Sequence, residues 1–226
     1  MEKFSTIMHR AASRYGGEDA VITKVKQGLE DYSNRISDMS DDRWLAEFTK
    51  RIFQAGFNWK VVENKWDGFE RAFWNFKPSR CARLDLDDME KLTTDTGIVR
   101  NPVKIKTVPK NAQMILNMAA QKGSADAFIR EWPSTDYVGL LVYLQKHGSH
   151  LGHNTASYAL RFSGVPAFIL SRDVTAALIH AGVIDKPATS KTAKKAVQAA
   201  FNQWAEESGE DISYVSRVLA LSLDAP

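Results

Sequence analysis

Apolar residues recur every three or four positions through most of this chain, and no segment sustains the apolar–polar alternation of a half-buried strand. Leu45, Phe48, Ile52, Ala55 and Trp59 form one such stripe. Ser40-Asp41-Asp42 ahead of them has the side chains of a helix cap, so the spacing predicts one helix whose last turn carries Gln54 to Trp59. A turn at Trp66–Phe69 and a short aromatic helix through Phe73, Trp74 and Phe76 follow, punctuated by Pro78. Asp87 and Asp88 open another short helix, Met89 to Thr94. Pro102 opens a longer one bearing Ile105, Val108, Ala112, Ile115, Leu116 and Met118, which Pro109 kinks or divides. Further helices are expected over Asp126–Trp132, Asp136–Lys146, Thr155 to Pro166, and Asp173–His180. Thr189 or Ser190 caps a long amphipathic helix with Ala193, Val197, Ala200, Phe201 and Trp204, and Ile212–Leu221 closes the chain. Residues 1–40 read as polar and irregular, an N-terminal helical segment broken at Gly16-Gly17. The pattern is all-α, with many short helices.

Composition narrows the class without choosing a function. The 226 residues are 44% hydrophobic and 25% charged, ordinary for a globular domain, and a net charge of +3 permits a polyanionic partner without requiring one. A single cysteine, Cys81, excludes an intrachain disulfide and a cysteine-rich zinc site. No apolar run approaches the ~20 residues of a membrane span, and the mixed N-terminus does not read as a secretory signal. The expectation is a cytoplasmic, monomeric protein without a cofactor.

The stretch from Leu144 to Val174 carries the densest local signal. It reads as helix, glycine turn, small-residue helix, short loop, and an acid at the next helix start. Gly148 and Gly152 bracket the turn and can take the positive φ values a reversal needs. Ser171 is a candidate cap for the helix bearing Asp173. Such a hairpin, with backbone N–H groups turned outward, suits a phosphate.

Leu151-Gly152, Thr155-Ala156, Pro166 and Asp173, in that order and spacing, resemble the helix-hairpin-helix DNA glycosylase superfamily. Gln54-Ala55-Gly56-Phe57-Asn58-Trp59 and Gly97-Ile98-Val99-Arg100-Asn101, with Lys104-Ile105 and Asn111-Ala112, are similar to the DNA-3-methyladenine glycosylase I family, and Lys146, Gly148, Gly152, Thr155 and Tyr158 continue the likeness. It covers roughly residues 44–165. The resemblance implies two interleaved helical subdomains around a cleft, with residues 41–226 as the glycosylase domain and the hairpin at about 144–173. It also implies double-stranded DNA with a damaged base as partner, gripped by Gly148, Ser149, His150, Leu151, Gly152, Asn154 and Thr155. Three departures stand out. The N-terminal Cys-Trp and Tyr-His-Asp motifs and the C-terminal His/Cys pair are missing, so no metal held in the family's manner is expected. Arg51 occupies the place of the family's base-reading glutamate. Asp173 supplies the acid of the wider superfamily, where that family has Asn-Asp-His.

The chemistry implied is hydrolysis of the N-glycosidic bond of an alkylated, 3-methyladenine-like purine. A base so treated must leave the stack and rest on an aromatic face, which attracts a cationic base further by cation–π interaction. Trp59 is the candidate face, with Phe57, Gln54, Tyr158 and Arg51 around it; continuing the apolar stripe as core is the other role open to Trp59. Asp173 is the candidate catalytic group, since a carboxylate stabilises the positive charge that develops on the sugar. The other role open to it is an N-terminal helix cap. Asn154 stands where bifunctional members carry a Schiff-base lysine, so the expectation is monofunctional, without lyase activity. Lys186, Lys191, Lys194 and Lys195 could touch phosphate or form a solvated face. His147, His150 and His153 suit backbone or phosphate contacts better than a metal. The alternative function is a helix-hairpin-helix protein that binds DNA without excision.

Overall fold

In the computed structural model, residues 1–33, 38–152 and 154–223 are described; His153 and the segments 34–37 and 224–226 lie outside them. These residues are helical, without strands. In chain order the helices are α1 (Phe4–Tyr15), α2 (Glu18–Ser33), α3 (Asp41–Gln54), α4 (Trp59–Asn64), α5 (Trp66–Ala72), α6 (Pro78–Cys81), α7 (Leu86–Thr94) and α8 (Pro102–Ile105). They continue as α9 (Thr107–Lys122), α10 (Ala125–Arg130), α11 (Tyr137–His147), α12 (Thr155–Phe162), α13 (Arg172–His180), α14 (Lys191–Ser208) and α15 (Ile212–Ser222). The chain forms two compact units that alternate along the sequence. One takes residues 1–36, 133–139 and 160–226, and the other residues 37–132 and 140–159.

In the first unit, α1 and α2 pack with α13, α14 and α15. Residues 1–33 are therefore helical rather than irregular. Phe4, Ile7, Met8 and Ala11 line one face of α1, and Val21 and Val25 recur at i, i+4 on α2, all buried. Glu207 Oε2 accepts from Phe4 N at 2.6 Å, and Trp204 Nε1 donates to Glu2 O at 3.0 Å, tying the N-terminus to α14. Phe168 stacks on Phe201 with centroids 4.2 Å apart. The non-helical strip ahead of α13 has no ladder to satisfy its backbone, and α15 supplies the partners instead. Ser213 Oγ accepts from Ala167 N at 2.8 Å and Ser216 Oγ from Ile169 N at 3.2 Å, while the Arg161 guanidinium donates to Ala167 O. Three buried polar side chains thus fix the approach to Ser171 and Asp173.

The second unit is built on α3, α9 and α10. Buried Trp44 donates from Nε1 to Asp126 Oδ1 at 3.0 Å, and Asp41 Oδ1 accepts from Ala125 N at 2.8 Å, so α10 starts against the first turn of α3. Phe53, Trp66, Phe69, Phe73 and Phe76 form a stacked aromatic cluster beside it. The expected turn at Trp66 is instead the start of α5, and the reversal comes later: Trp74, Asn75 and Phe76 have φ of 49°, 52° and 57° in a 3-10 turn. Cys81 is buried there with its thiol donating to Phe73 O at 3.3 Å, and burial pushes that thiol up to about 12. The division expected at Pro109 falls at Lys106, because Pro109 sits in the first turn of α9, where a missing N–H costs nothing.

Gly68 is required by a close approach: an added Cβ would collide with the Gly97 carbonyl. Gly68→Ala is expected to destabilise the protein by about 1–3 kcal/mol through forced displacement of that backbone. A thermal melt matching wild type would contradict the packing described.

Candidate active site

α3 stops at Gln54, five residues before the stripe predicts. Gly56 takes φ +72°, Asn58 caps α4 by accepting from Lys60 N at 3.0 Å, and Trp59 opens the new helix. The break turns Trp59 off the core face. Its side chain is 41% exposed, which rules out the fully buried role. Lys104 secures the break: its Nζ donates to Phe53 O at 3.1 Å and Ala55 O at 2.6 Å, capping carbonyls that α3 leaves unpaired. Burial holds the Lys104 ammonium below the usual lysine range.

Three other predicted site residues, Arg51, Gln54 and Tyr158, gather at Trp59. The Arg51 guanidinium lies 5.6 Å from the Trp59 ring centroid, and Tyr158 meets the same ring edge-on at 6.0 Å with planes at 90°. Arg51 is 7% exposed and is held by two bonds, from Nε to Glu47 Oε1 at 2.5 Å and from Nη1 to Gln54 Oε1 at 2.7 Å. Buried Gln54 passes the network to Glu63 through a 3.4 Å contact from Nε2. Phe57 stands apart from this cluster, exposed, with the Lys104 ammonium 4.7 Å from its ring centroid. Glu47 and Glu63 were absent from the predicted set. Glu47 lies one helical turn before Arg51, so the i, i+4 ion-pair rule was the signal available for it.

The hairpin reverses differently from the expectation. Gly148 and Gly152 are not in the left-handed region; His150 is, at φ +58°. Gly148 is needed for space instead, since a Cβ there would crowd Leu144 O, the Leu151 side chain and Asn111 Oδ1. Fully buried Asn111 locks the turn, its Oδ1 accepting from Ser149 N at 2.7 Å and its Nδ2 donating to Ser149 O at 3.2 Å. The Ser149 amide therefore points inward and is spent on the protein. Among the described residues, the amides of His150, Leu151 and Gly152 donate to no internal acceptor. Thr155 N donates to Gly152 O at 3.1 Å and Asn154 O accepts from Tyr158 N at 2.9 Å, so the turn feeds directly into α12 and places Tyr158 one turn later. His147 packs on Tyr143, and His150 Nδ1 lies 3.2 Å from Ser149 Oγ. His153 lies outside the described residues.

Asp173 belongs to the other unit. It is the second residue of α13, half-buried, behind the Ser171 cap whose Oγ accepts from Val174 N at 3.2 Å. Ser171 therefore supplies the N-cap of α13. On α14 the cap is Ser190 rather than Thr189, and Lys186, Lys191 and Lys195 are exposed.

An all-helical scaffold with an amide-bearing hairpin wired to a half-exposed tryptophan has the fold of the helical DNA glycosylases. 3-Methyladenine DNA glycosylase I from Staphylococcus aureus aligns with a TM-score of 0.50 and 18% identity, covering 68% of this chain and 89% of that one. The 8-oxoguanine glycosylase/lyase from Methanocaldococcus jannaschii, solved with 15mer DNA containing 8-oxoguanine, aligns at 0.52 and 14% identity over 95% of both chains. In sequence, residues 36–146 match the methyladenine glycosylase family model. DNA-3-methyladenine glycosylase 1 of Escherichia coli (strain K12) is 35% identical over 88 residues, 34% of this chain and 47% of its own length. In sequence the chain is similar to the 3-methyladenine glycosylases I, and it spans less than half the length of the curated relatives it matches.

Asn111→Ala leaves the Ser149 N–H and C=O without their partner and is expected to cost about 1–3 kcal/mol. Hydrogen exchange at the hairpin amides should rise with it; unchanged protection of Ser149 would rule out the lock.

Proposed function

We propose that this protein is a DNA glycosylase that hydrolyses the N-glycosidic bond of alkylated, 3-methyladenine-like purines in double-stranded DNA. The observation that carries the reading is the contact between Trp59 and Tyr158, because it joins an exposed aromatic face to the helix that leaves the hairpin. A base extruded from the stack needs such a face, worth ~1–3 kcal/mol per stacked base. The amides of His150, Leu151 and Gly152 would receive a phosphate, with Asn154 and Thr155 following at the start of α12 and the Ser149 hydroxyl beside them. Gln54 and Arg51 would border the base, and Phe57 would flank its entry.

Breaking the bond leaves cationic character on the sugar, and a carboxylate stabilises that charge or deprotonates the attacking water. Asp173 is our assignment for that group, supported by its place in the capped first turn of α13 and by the hydrogen bonds that hold the strip before it. Asn154 offers no amine, so the sugar goes to water and no strand cleavage follows. We propose that the protein acts as a cytoplasmic monomer; among the described residues no helix is long and apolar enough to cross a membrane.

Single-turnover excision from a methylated duplex tests the assignment. Trp59→Ala is expected to slow release by about 10- to 100-fold, and Asp173→Asn by about 100-fold or more. Both variants should retain DNA binding with its salt dependence. Folded Asp173→Asn protein with full activity would sink the catalytic role, and borohydride trapping of a covalent adduct would sink the monofunctional one.

A further inference from the structure

A cationic base gains on an aromatic face only if that face is open to it. Here the protein has put its own cation there. The Arg51 guanidinium sits 5.6 Å from the Trp59 centroid, nearly buried, and is pinned on either side by Glu47 and Gln54. Both anchors lie on the same helix as Arg51, at i−4 and i+3, so the guanidinium cannot swing away without breaking both bonds. A second positive charge entering beside Trp59 meets like-charge repulsion in a site partly withdrawn from water, where screening is weak. The Glu47 carboxylate bonds Nε, and so balances the charge from within α3.

We propose that Arg51 is a specificity-determining residue that biases this site against cationic bases. Within the alkylpurine class, uncharged adducts such as 1,N6-ethenoadenine are released in preference to cationic ones such as 7-methylguanine. This rests on the glycosylase reading and on Trp59 as the stacking face. Discrimination here works by a built-in repulsive element rather than by an added contact.

The test is a ratio of excision rates on two duplexes, one carrying 1,N6-ethenoadenine and one 7-methylguanine, for wild type, Arg51→Lys, Arg51→Gln and Glu47→Gln. Comparing ratios cancels differences in lesion size and bond lability. Arg51→Gln is expected to move the ratio toward 7-methylguanine by about 10-fold or more, whereas Arg51→Lys, which keeps the charge, holds it near wild type. Glu47→Gln strips the balancing anion and should move the ratio the other way, which reads the same effect should Arg51→Gln fold poorly. Equal losses on both lesions in Arg51→Gln would make Arg51 a mere prop for Trp59 and overturn the proposal, as would a Glu47→Gln ratio equal to wild type. Release of neither lesion by wild type, while 3-methyladenine is freed from methylated duplex, would overturn this proposal and leave the glycosylase reading standing; no base released from any of the three would remove both.

Discussion

A single lysine decides where α3 ends. Lys104 gives up part of its hydration to bind the carbonyls of Phe53 and Ala55, and burial correspondingly lowers the pKa of its ammonium. Without that cap, the apolar stripe would favour another turn of helix and Trp59 would fall on the core face. With it, the chain turns at Gly56 and restarts at Trp59, leaving Arg51 and Gln54 behind on the last turn of α3. Lys104 itself is held by α8, whose cap Asn101 accepts from Lys104 N at 3.1 Å. The two motif-bearing stretches, Gln54–Trp59 and Gly97–Asn101, therefore act as halves of one device: the second terminates the helix that the first continues.

The hairpin obeys a similar logic of satisfied backbone. Asn111 consumes both polar groups of Ser149, and that fixes the orientation of the three amides that follow. A buried asparagine with two good bonds costs little, and it converts a seven-residue turn into a rigid presentation of N–H groups. In the other unit, Ser213 and Ser216 do the equivalent service for the strip before α13. Rigid supports under short irregular segments are what positioning chemistry requires, because a displaced carboxylate or amide loses much of its effect.

Much of this was legible in the sequence where local rules govern. Helical periodicity gave the all-α class, and the cap at Ser171 follows from residue type and spacing alone, whereas the choice of Ser190 over Thr189 needed the structure. The gathering of Arg51, Gln54, Trp59 and Tyr158 followed from resemblance rather than from periodicity. What escaped were features set by tertiary partners. The exposure of Trp59 depends on a cap from fifty residues away, and nothing local distinguishes it from a core tryptophan. Asn111 sits on the apolar face of α9 with no neighbouring signal that its side chain reaches the hairpin. The reversal at His150 runs against the usual preference for glycine in the left-handed region, and the crowding that demands Gly148 is equally invisible in one dimension. Residues 1–33 looked polar because their apolar positions are sparse, yet those few are spaced to bury one face.

The central claim is that the hairpin and the Trp59 face serve excision rather than binding alone. Chromatography of the bases set free when the protein is incubated with methylated duplex DNA tests it most directly. The account predicts free methylated purine in the supernatant, with abasic sites accumulating in unbroken strands. Tight, salt-sensitive binding of the same DNA with no base released would contradict it.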